Sequence, residues 1–541
     1  MNRSRLWIIA AFVVIGLVCL ILGCWLRAIY SPEWMLPDTT QNPPAMRPWA
    51  VEADCYSQLA RVQRILNRQG LIQNHFTVEN WPEGLAPSTT APFDYVILLL
   101  YAPLALFTRH PLDWAGALVS PALWVALVFF WMLFRSREFN LAGRALLLLG
   151  SAAMPALIWA TACGRPRHQS LILALMAVGL TAEYERWQLE LTPKRAWNIF
   201  AGVVWGLACW TSLFEPSVVV VALVLFNLVV RRRENAAFLI SFSIVIATML
   251  LLEGGHIFSN IFNIYSLAPE NLQYSLNWLS TIAEVRSVDF TGIMQQMTLV
   301  LLVLPLLAWR LWPRARGNKT DALLILLTLL LTTFTMLEGR WLYYAALGGL
   351  FLIVRYYQIA PTRWTRLVVL FLFLIGMACE DYRQIEGRVG APANQPSLQL
   401  AQISRAIDQP GGIMAPWWLS PGFLYFSGQP IVSGSSHCGI SGIVASAKFF
   451  SANSWVDAER ILRERKVRWI VVWDNPDYVY PLLNSSRGIL GLPAYSDDDT
   501  KKAEATVAQV MIEDKDLPTA MHLRGVTSML KLYEYVPDTG R

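Results

Sequence analysis

Glu52 and Asp54 stand two residues apart in Val51-Glu52-Ala53-Asp54-Cys55-Tyr56, shortly after the first long apolar run of the chain. An acid in that place can take a proton from a nucleophile or hold a hard cation. Both suit chemistry at a membrane face on a lipid-carried phosphate substrate. A third acid, Glu284, ends Trp278-Leu279-Ser280-Thr281-Ile282-Ala283-Glu284. Complementary charge comes from Arg165 and Arg167, in Cys163-Gly164-Arg165-Pro166-Arg167-His168-Gln169, and from Arg340, in Glu338-Gly339-Arg340-Trp341. A guanidinium is always charged and grips phosphate through a fork of donors.

The elements that position these residues follow from composition. Of 541 residues, 55% are hydrophobic and 15% charged, against about 25% charged in soluble domains. Mean hydropathy is +0.41. Apolar runs of roughly 20 residues recur, the length that crosses about 30 Å of hydrocarbon. The chain therefore reads as mostly α: a polytopic transmembrane bundle of about 11–13 spans, then an α/β domain. The net charge of +6 needs no nucleic acid, because much of the Lys and Arg clusters beside the spans. Seven cysteines without CxxC spacing, several within apolar runs (Cys19, Cys24, Cys209), indicate neither a disulfide framework nor a zinc site.

The first apolar run, 5–30, is too long for a signal peptide and lacks a clear cleavage site, so it reads as an uncleaved anchor with its N-terminus inside. Further spans are expected at roughly 113–135, 144–162, 168–184, 197–212, 214–231, 237–255, 293–312, 321–337, 341–356 and 364–380. The connections 135–144, 183–195, 231–234, 310–319 and 355–366 are rich in Lys and Arg and fall inside. Counting the apolar stretch 93–107 as a span would invert every later loop, so it reads as a re-entrant or surface-lying helix. The expected division is a transmembrane domain, 1–380, with external loops 31–112 and 256–292, and an extracytoplasmic domain, 381–541. In that domain a helix ending near 462–466 precedes a buried strand at 467–473, and 530–536 is a closing strand. Asp54, Glu284, Arg165, Arg167, Arg340 and the Trp417-Trp418 pair all land outside.

The order of these elements resembles the catalytic subunit family of oligosaccharyltransferase, a group of GT-C membrane glycosyltransferases. The resemblance covers nearly the whole chain. It rests on Asp54 before Tyr56, on Trp81-Pro82-Glu83-Gly84 leading into an apolar stretch, and on Thr281-Ile282-Ala283-Glu284. Arg340 opening a late span and Trp417-Trp418 in the external domain complete it. The resemblance implies transfer of a sugar or oligosaccharide from a polyprenyl-(di)phosphate donor to an acceptor outside the cytoplasm. It further implies a divalent cation, magnesium or manganese, on the acidic residues. Asp54 and Glu284 become the catalytic pair and metal ligands, with His168 or Gln169 as added ligands. Arg340, Arg167 and Arg165 become donor-phosphate residues, and Trp417 and Trp418 line the acceptor groove.

Two motifs depart from the family pattern. Arg167 stands where the family has a metal-binding Asp, so a metal-independent mechanism, in which Arg167 meets the donor phosphate directly, is preferred. Leu419 stands where an Asp would follow the Trp pair and grip the hydroxyl of an Asn-x-Ser/Thr acceptor. Protein is kept as the first acceptor and an envelope glycan or lipid, served by a polyprenyl-monophosphate sugar, as the second. A plainer reading exists for each residue. Asp54 could cap the following helix, predicted over 57–69, and Arg340 could snorkel. Arg165 and Arg167 could meet lipid headgroups, and the Trp pair could be interfacial. A transporter or an inactive relative is the alternative of another class. A transporter, however, places ionisable residues at mid-membrane, and here they gather at span ends. A bacterial inner membrane, with N-terminus cytoplasmic and C-terminal domain periplasmic, fits the single-chain plan.

Overall fold

The computed structural model describes residues 3–38, 44–87, 89–134, 139–188, 195–230, 236–254, 269–282, 285–286, 288, 290–297, 300–315, 318–360, 362–387, 396–474, 479–495 and 506–537. The chain forms two compact units. One gathers Met1–Trp34, Ala117–Leu251 and Glu284–Pro392; the other gathers Met35–Gly116, Leu252–Ala283 and Ala393–Arg541.

The first unit is helical, and its helices follow the apolar runs. Arg3–Ile29, Pro111–Leu133, His168–Gln188, Arg195–Thr211, Glu215–Val229, Ala236–Leu252, Lys319–Leu337, Leu342–Ile359 and Arg363–Glu386 each match an expected span within a few residues, save that the last runs on to Glu386. The expected span at 144–162 is instead two helices, Leu141–Ala153 and Pro155–Ala160. Pro155 has no N–H to continue the first and opens the second at its N-terminal position. The expected span at 293–312 likewise divides into Phe290–Met297 and Val300–Ala315. Among the described residues, Ile9–Ile29, Pro111–Leu133 and Lys319–Leu337 are long and apolar enough to cross a membrane.

Trp131, Leu148, Met154, Ile172, Trp205, Leu331 and Phe351 fill the core of this unit. Outward faces carry Ile21, Leu228, Ile240, Leu251 and Phe371 in the open, as lipid-facing surfaces require. Several of its buried charged side chains are held by ion pairs or hydrogen bonds. Arg355 donates to Asp321 (2.6 Å) and Arg186 to Glu183 (2.6 Å). Arg27 lies 3.7 Å from the Trp124 ring centroid and donates to Thr161 Oγ1 and to the Ser151 and Gly23 carbonyls. All seven cysteines are free thiols.

The second unit is mixed α/β. Strands β1 (Met35–Asp38) and β2 (Ala45–Pro48) pair antiparallel. The main sheet holds β3 (Gly412–Met414), β4 (Val467–Trp473), β5 (Met521–Val526) and β6 (Leu530–Tyr535) in the order β3-β4-β6-β5, with β3 parallel to β4 and the other pairs antiparallel. β4 is buried along both faces apart from Arg468, which explains its unbroken apolar run. It follows the helix Trp455–Glu464, whose N-cap Ser454 accepts from Val456 N at 3.2 Å. The stretch 93–107 forms the helix Ala91–Leu104 in this unit. At 14 residues it is roughly 21 Å long, short of a full span.

Candidate active site

Asp54 lies in the 3-10 turn Ala53–Cys55, directly before the helix Tyr56–Leu66. It does not cap that helix. The N-cap position is Cys55, and no side-chain cap bond is made there. Ala53, Cys55 and Tyr56 are buried while Asp54 stays half-buried, so the apolar neighbours anchor the turn and hold the acid near its surface. Tyr56 stacks on Tyr425 with ring centroids 5.0 Å apart, and its hydroxyl accepts from Ala50 N at 3.2 Å. Tyr425 in turn donates to Asp113 (2.6 Å), which Arg47 also binds (2.8 Å).

A further carboxylate, Glu79, lies within electrostatic reach of Asp54. Glu79 is 6% exposed, and its Oε1 accepts from Ser436 N at 3.3 Å. Burial pushes its carboxyl up to about 7; the nearby negative charge of Asp54 adds to this, and the Ser436 N–H and Arg61 oppose it. Its backbone is fixed by a short parallel bridge to Ile431, with Ile431 N donating to Val78 O (2.8 Å) and Trp81 N to Ile431 O (3.0 Å). The signal in the sequence was an acid two residues ahead of Trp81-Pro82, inside an otherwise apolar approach. Gln58, one helical turn after Asp54, is also buried, and its Oε1 has no hydrogen-bond donor among the described residues.

Arg61 lies further along the same helix. It binds Asp94 at 2.6 Å, both side chains being almost fully buried, and donates to the Thr89 carbonyl (2.8 Å) and hydroxyl. Glu253 accepts from Ala91 N at 2.9 Å. Burial pushes Asp94 up to about 6; Arg61 opposes the rise and Glu253 adds to it. The Trp81-Pro82-Glu83-Gly84 segment is a turn held by Asn80, which accepts from Ser441 and Gly442 N and donates to Glu83 and Gly84 O.

Trp417 and Trp418 are half-buried in a turn closed by Leu419 N and Ser420 N on Pro416 O (2.9 and 3.1 Å). Trp417 meets Trp418 edge-on (5.6 Å) and also Trp278, from the helix Pro269–Thr281 (5.5 Å). Leu419 is 3% exposed. The position at which an acid would grip an acceptor hydroxyl thus points into the protein.

In the helical unit, residues 163–167 form a tethered loop. Cys163 N donates to Arg27 O (3.1 Å) and Gly164 N to Ala117 O (3.0 Å). Gly164 has φ +71°, which favours glycine. Arg165 is buried with its guanidinium 3.8 Å from the Trp159 ring centroid, whereas Arg167 and His168 are half-buried. His168 begins the helix His168–Gln188. Arg340 lies in the 3-10 turn Gly339–Trp341 and donates from Nε to Glu338 at 2.7 Å, 4.9 Å from the Phe214 ring centroid. Gly339 N donates to Arg286 O at 3.0 Å, which ties this turn to the segment just after Glu284. Glu284 itself lies outside the described residues. Among the described residues, no group of three or more His, Cys, Asp or Glu side chains is placed to hold a metal ion.

No family model matches the sequence, and no curated protein matches it. Solved structures do match. Archaeal oligosaccharyltransferase AglB from Archaeoglobus fulgidus, in complex with an inhibitory peptide and a dolichol-phosphate, superposes with TM-score 0.70 at 12% identity, over 94% of this chain and 78% of that one. The chain has the fold of the GT-C glycosyltransferases. The Archaeoglobus fulgidus oligosaccharyltransferase complex with Zn and sulfate gives TM-score 0.62 at 13% identity, over 90% and 70%. ArnT from Cupriavidus metallidurans, bound to undecaprenyl phosphate, gives 0.52 at 12% identity, over 99% of both chains. At such identities the likeness is one of fold.

Proposed function

We propose that this chain is a membrane glycosyltransferase. It moves a sugar or oligosaccharide from a polyprenyl-(di)phosphate donor to a protein acceptor on the extracytoplasmic face of a bacterial inner membrane, its N-terminus cytoplasmic. The observation that carries this reading is Asp54: an acid kept half-buried on a turn whose neighbours are locked inside. The fold, shared with proteins solved with dolichol-phosphate and undecaprenyl phosphate, supports it.

In the proposed reaction the acceptor's oxygen or nitrogen attacks the anomeric carbon. The bond from that carbon to the phosphate oxygen breaks, the phosphate leaves with the electron pair, and Asp54 takes the nucleophile's proton. Arg340 and Arg167 are the proposed partners of the phosphate, neutralising its charge through forked hydrogen bonds. The half-buried position of Arg167 suits that role better than the packed position of Arg165. Glu284 keeps its proposed catalytic role from the sequence motif. The described residues do not by themselves assemble a magnesium or manganese site, so no step is routed through a metal.

A second reading keeps the chemistry and changes the substrates: a polyprenyl-monophosphate sugar placed on an envelope lipid or polysaccharide. The buried Leu419 favours it, because the turn offers no acid to hold an Asn-x-Ser/Thr hydroxyl. Expressing the chain with candidate lipid-linked donors and identifying the glycosylated product by mass spectrometry separates the two. Asp54→Asn should lower transfer by about 10²–10⁴-fold. Undiminished transfer would remove the catalytic assignment of Asp54, whereas no transfer by the unaltered chain with any donor would leave a transporter or an inactive relative.

A further inference from the structure

Residues 433–436 contact three parts of the second unit that the proposed chemistry uses or adjoins. Ser433 Oγ donates to Ala415 O at 3.0 Å and lies 3.3 Å from Ser420 Oγ, which brackets the Trp417-Trp418 turn. Ser435 Oγ is 3.1 Å from Ser57 Oγ, three residues after Asp54. Ser436 N donates to Glu79 Oε1. Gly434 sits flush against the same carboxyl: a Cβ there would lie 2.1 Å from Glu79 Oε1 and 2.4 Å from its Cδ. The backbone at Gly434 is one that any L residue adopts, so glycine is needed for room and not for conformation. Glu79 has little freedom to give way, being buried and bridged through its backbone to Ile431.

We infer that Glu79 is a positioning residue, whose carboxyl seats residues 433–436 so that they fix the turn carrying Asp54 relative to the Trp417-Trp418 turn. This rests on reading Asp54 as the acid that receives the acceptor's proton. Glu79 does not take part in the transfer. It acts through the loop, as an acceptor for Ser436 N and as the surface on which Gly434 packs. A Gln in its place keeps the acceptor and the shape, while an Ala loses both.

The test uses the full-length chain in detergent micelles and the rate at which a water-soluble carbodiimide labels Asp54, followed by mass spectrometry. The exposed Asp457, on the helix Trp455–Glu464, is the internal control. Glu79→Ala and Gly434→Ala should each change Asp54 labelling about fivefold or more, with Asp457 labelling unchanged. Glu79→Gln should restore the wild-type rate. The double variant should match Glu79→Ala alone, because the added Cβ then has room. Unchanged Asp54 labelling in both single variants, additive effects in the double variant, or no rescue by Glu79→Gln would each overturn the inference. Transfer by Asp54→Asn, measured separately, reports on the reading beneath it. An active Asp54→Asn variant sinks that reading, whereas an inactive one with indifferent labelling sinks the positioning role alone.

Discussion

Two buried acids of the second unit, Asp94 and Glu79, both feel the charge of Arg61 and are held by different partners. Asp94 is matched: Arg61 binds it at 2.6 Å and is itself tied to Thr89. Glu79 has one long bond, from Ser436 N, and the charge of Asp54 close by. A buried charge with a hydrogen-bonded partner is a fastening, and removing one partner exposes the cost of the other. A buried acid held by a single backbone N–H fastens less than one in an ion pair, and perturbed acids cluster at functional sites. The pair at Arg61 and Asp94 therefore reads as the clamp that seats the helix Ala91–Leu104, and Glu79 as the seat of residues 433–436.

The largest effect should come from breaking the clamp. Arg61→Ala strands Asp94 and should destabilise the folded chain by about 3–5 kcal/mol, read as a lower midpoint in thermal unfolding of the solubilised protein. Retention of full stability would erase the distinction between the two acids. Glu79→Gln should behave otherwise. Burial raises the folded carboxyl from its ordinary 4.5 to about 7, so the folded chain holds a proton there that the unfolded chain has released. The contribution of Glu79 is full below about pH 4.5 and lost as pH rises through about 7. Wild type should lose about 3 kcal/mol across that window that Glu79→Gln does not lose, seen by comparing unfolding midpoints at the two ends. The smallest effect is expected at Ser57→Ala, which removes the contact with Ser435 and should cost about 1 kcal/mol, measured by the same unfolding assay.

Most of the helical architecture was legible because apolar run length and the distribution of Lys and Arg report directly on lipid. Pro155 was the local exception, since a run count does not register a missing N–H. Strand β4 and its preceding helix were legible for a similar reason: the run Val467-Arg468-Trp469-Ile470-Val471-Val472-Trp473 has few other solutions. The site was less open to reading. Asp54 stood out by its placement after an apolar run, and the Trp pair by its composition. Glu79 did not, because what sets it apart is the approach of residues 433–436, more than 350 positions away in the chain. The same holds for Arg165, which its neighbours suggested as a phosphate partner and which lies packed against Trp159.

Leu419 faces inward, so its side chain is committed to packing. Replacing it with aspartate would set an anion among packed hydrocarbon and would not present one to a hydroxyl. Bringing that position to the surface would require rebuilding the turn in which Leu419 N and Ser420 N close on Pro416 O.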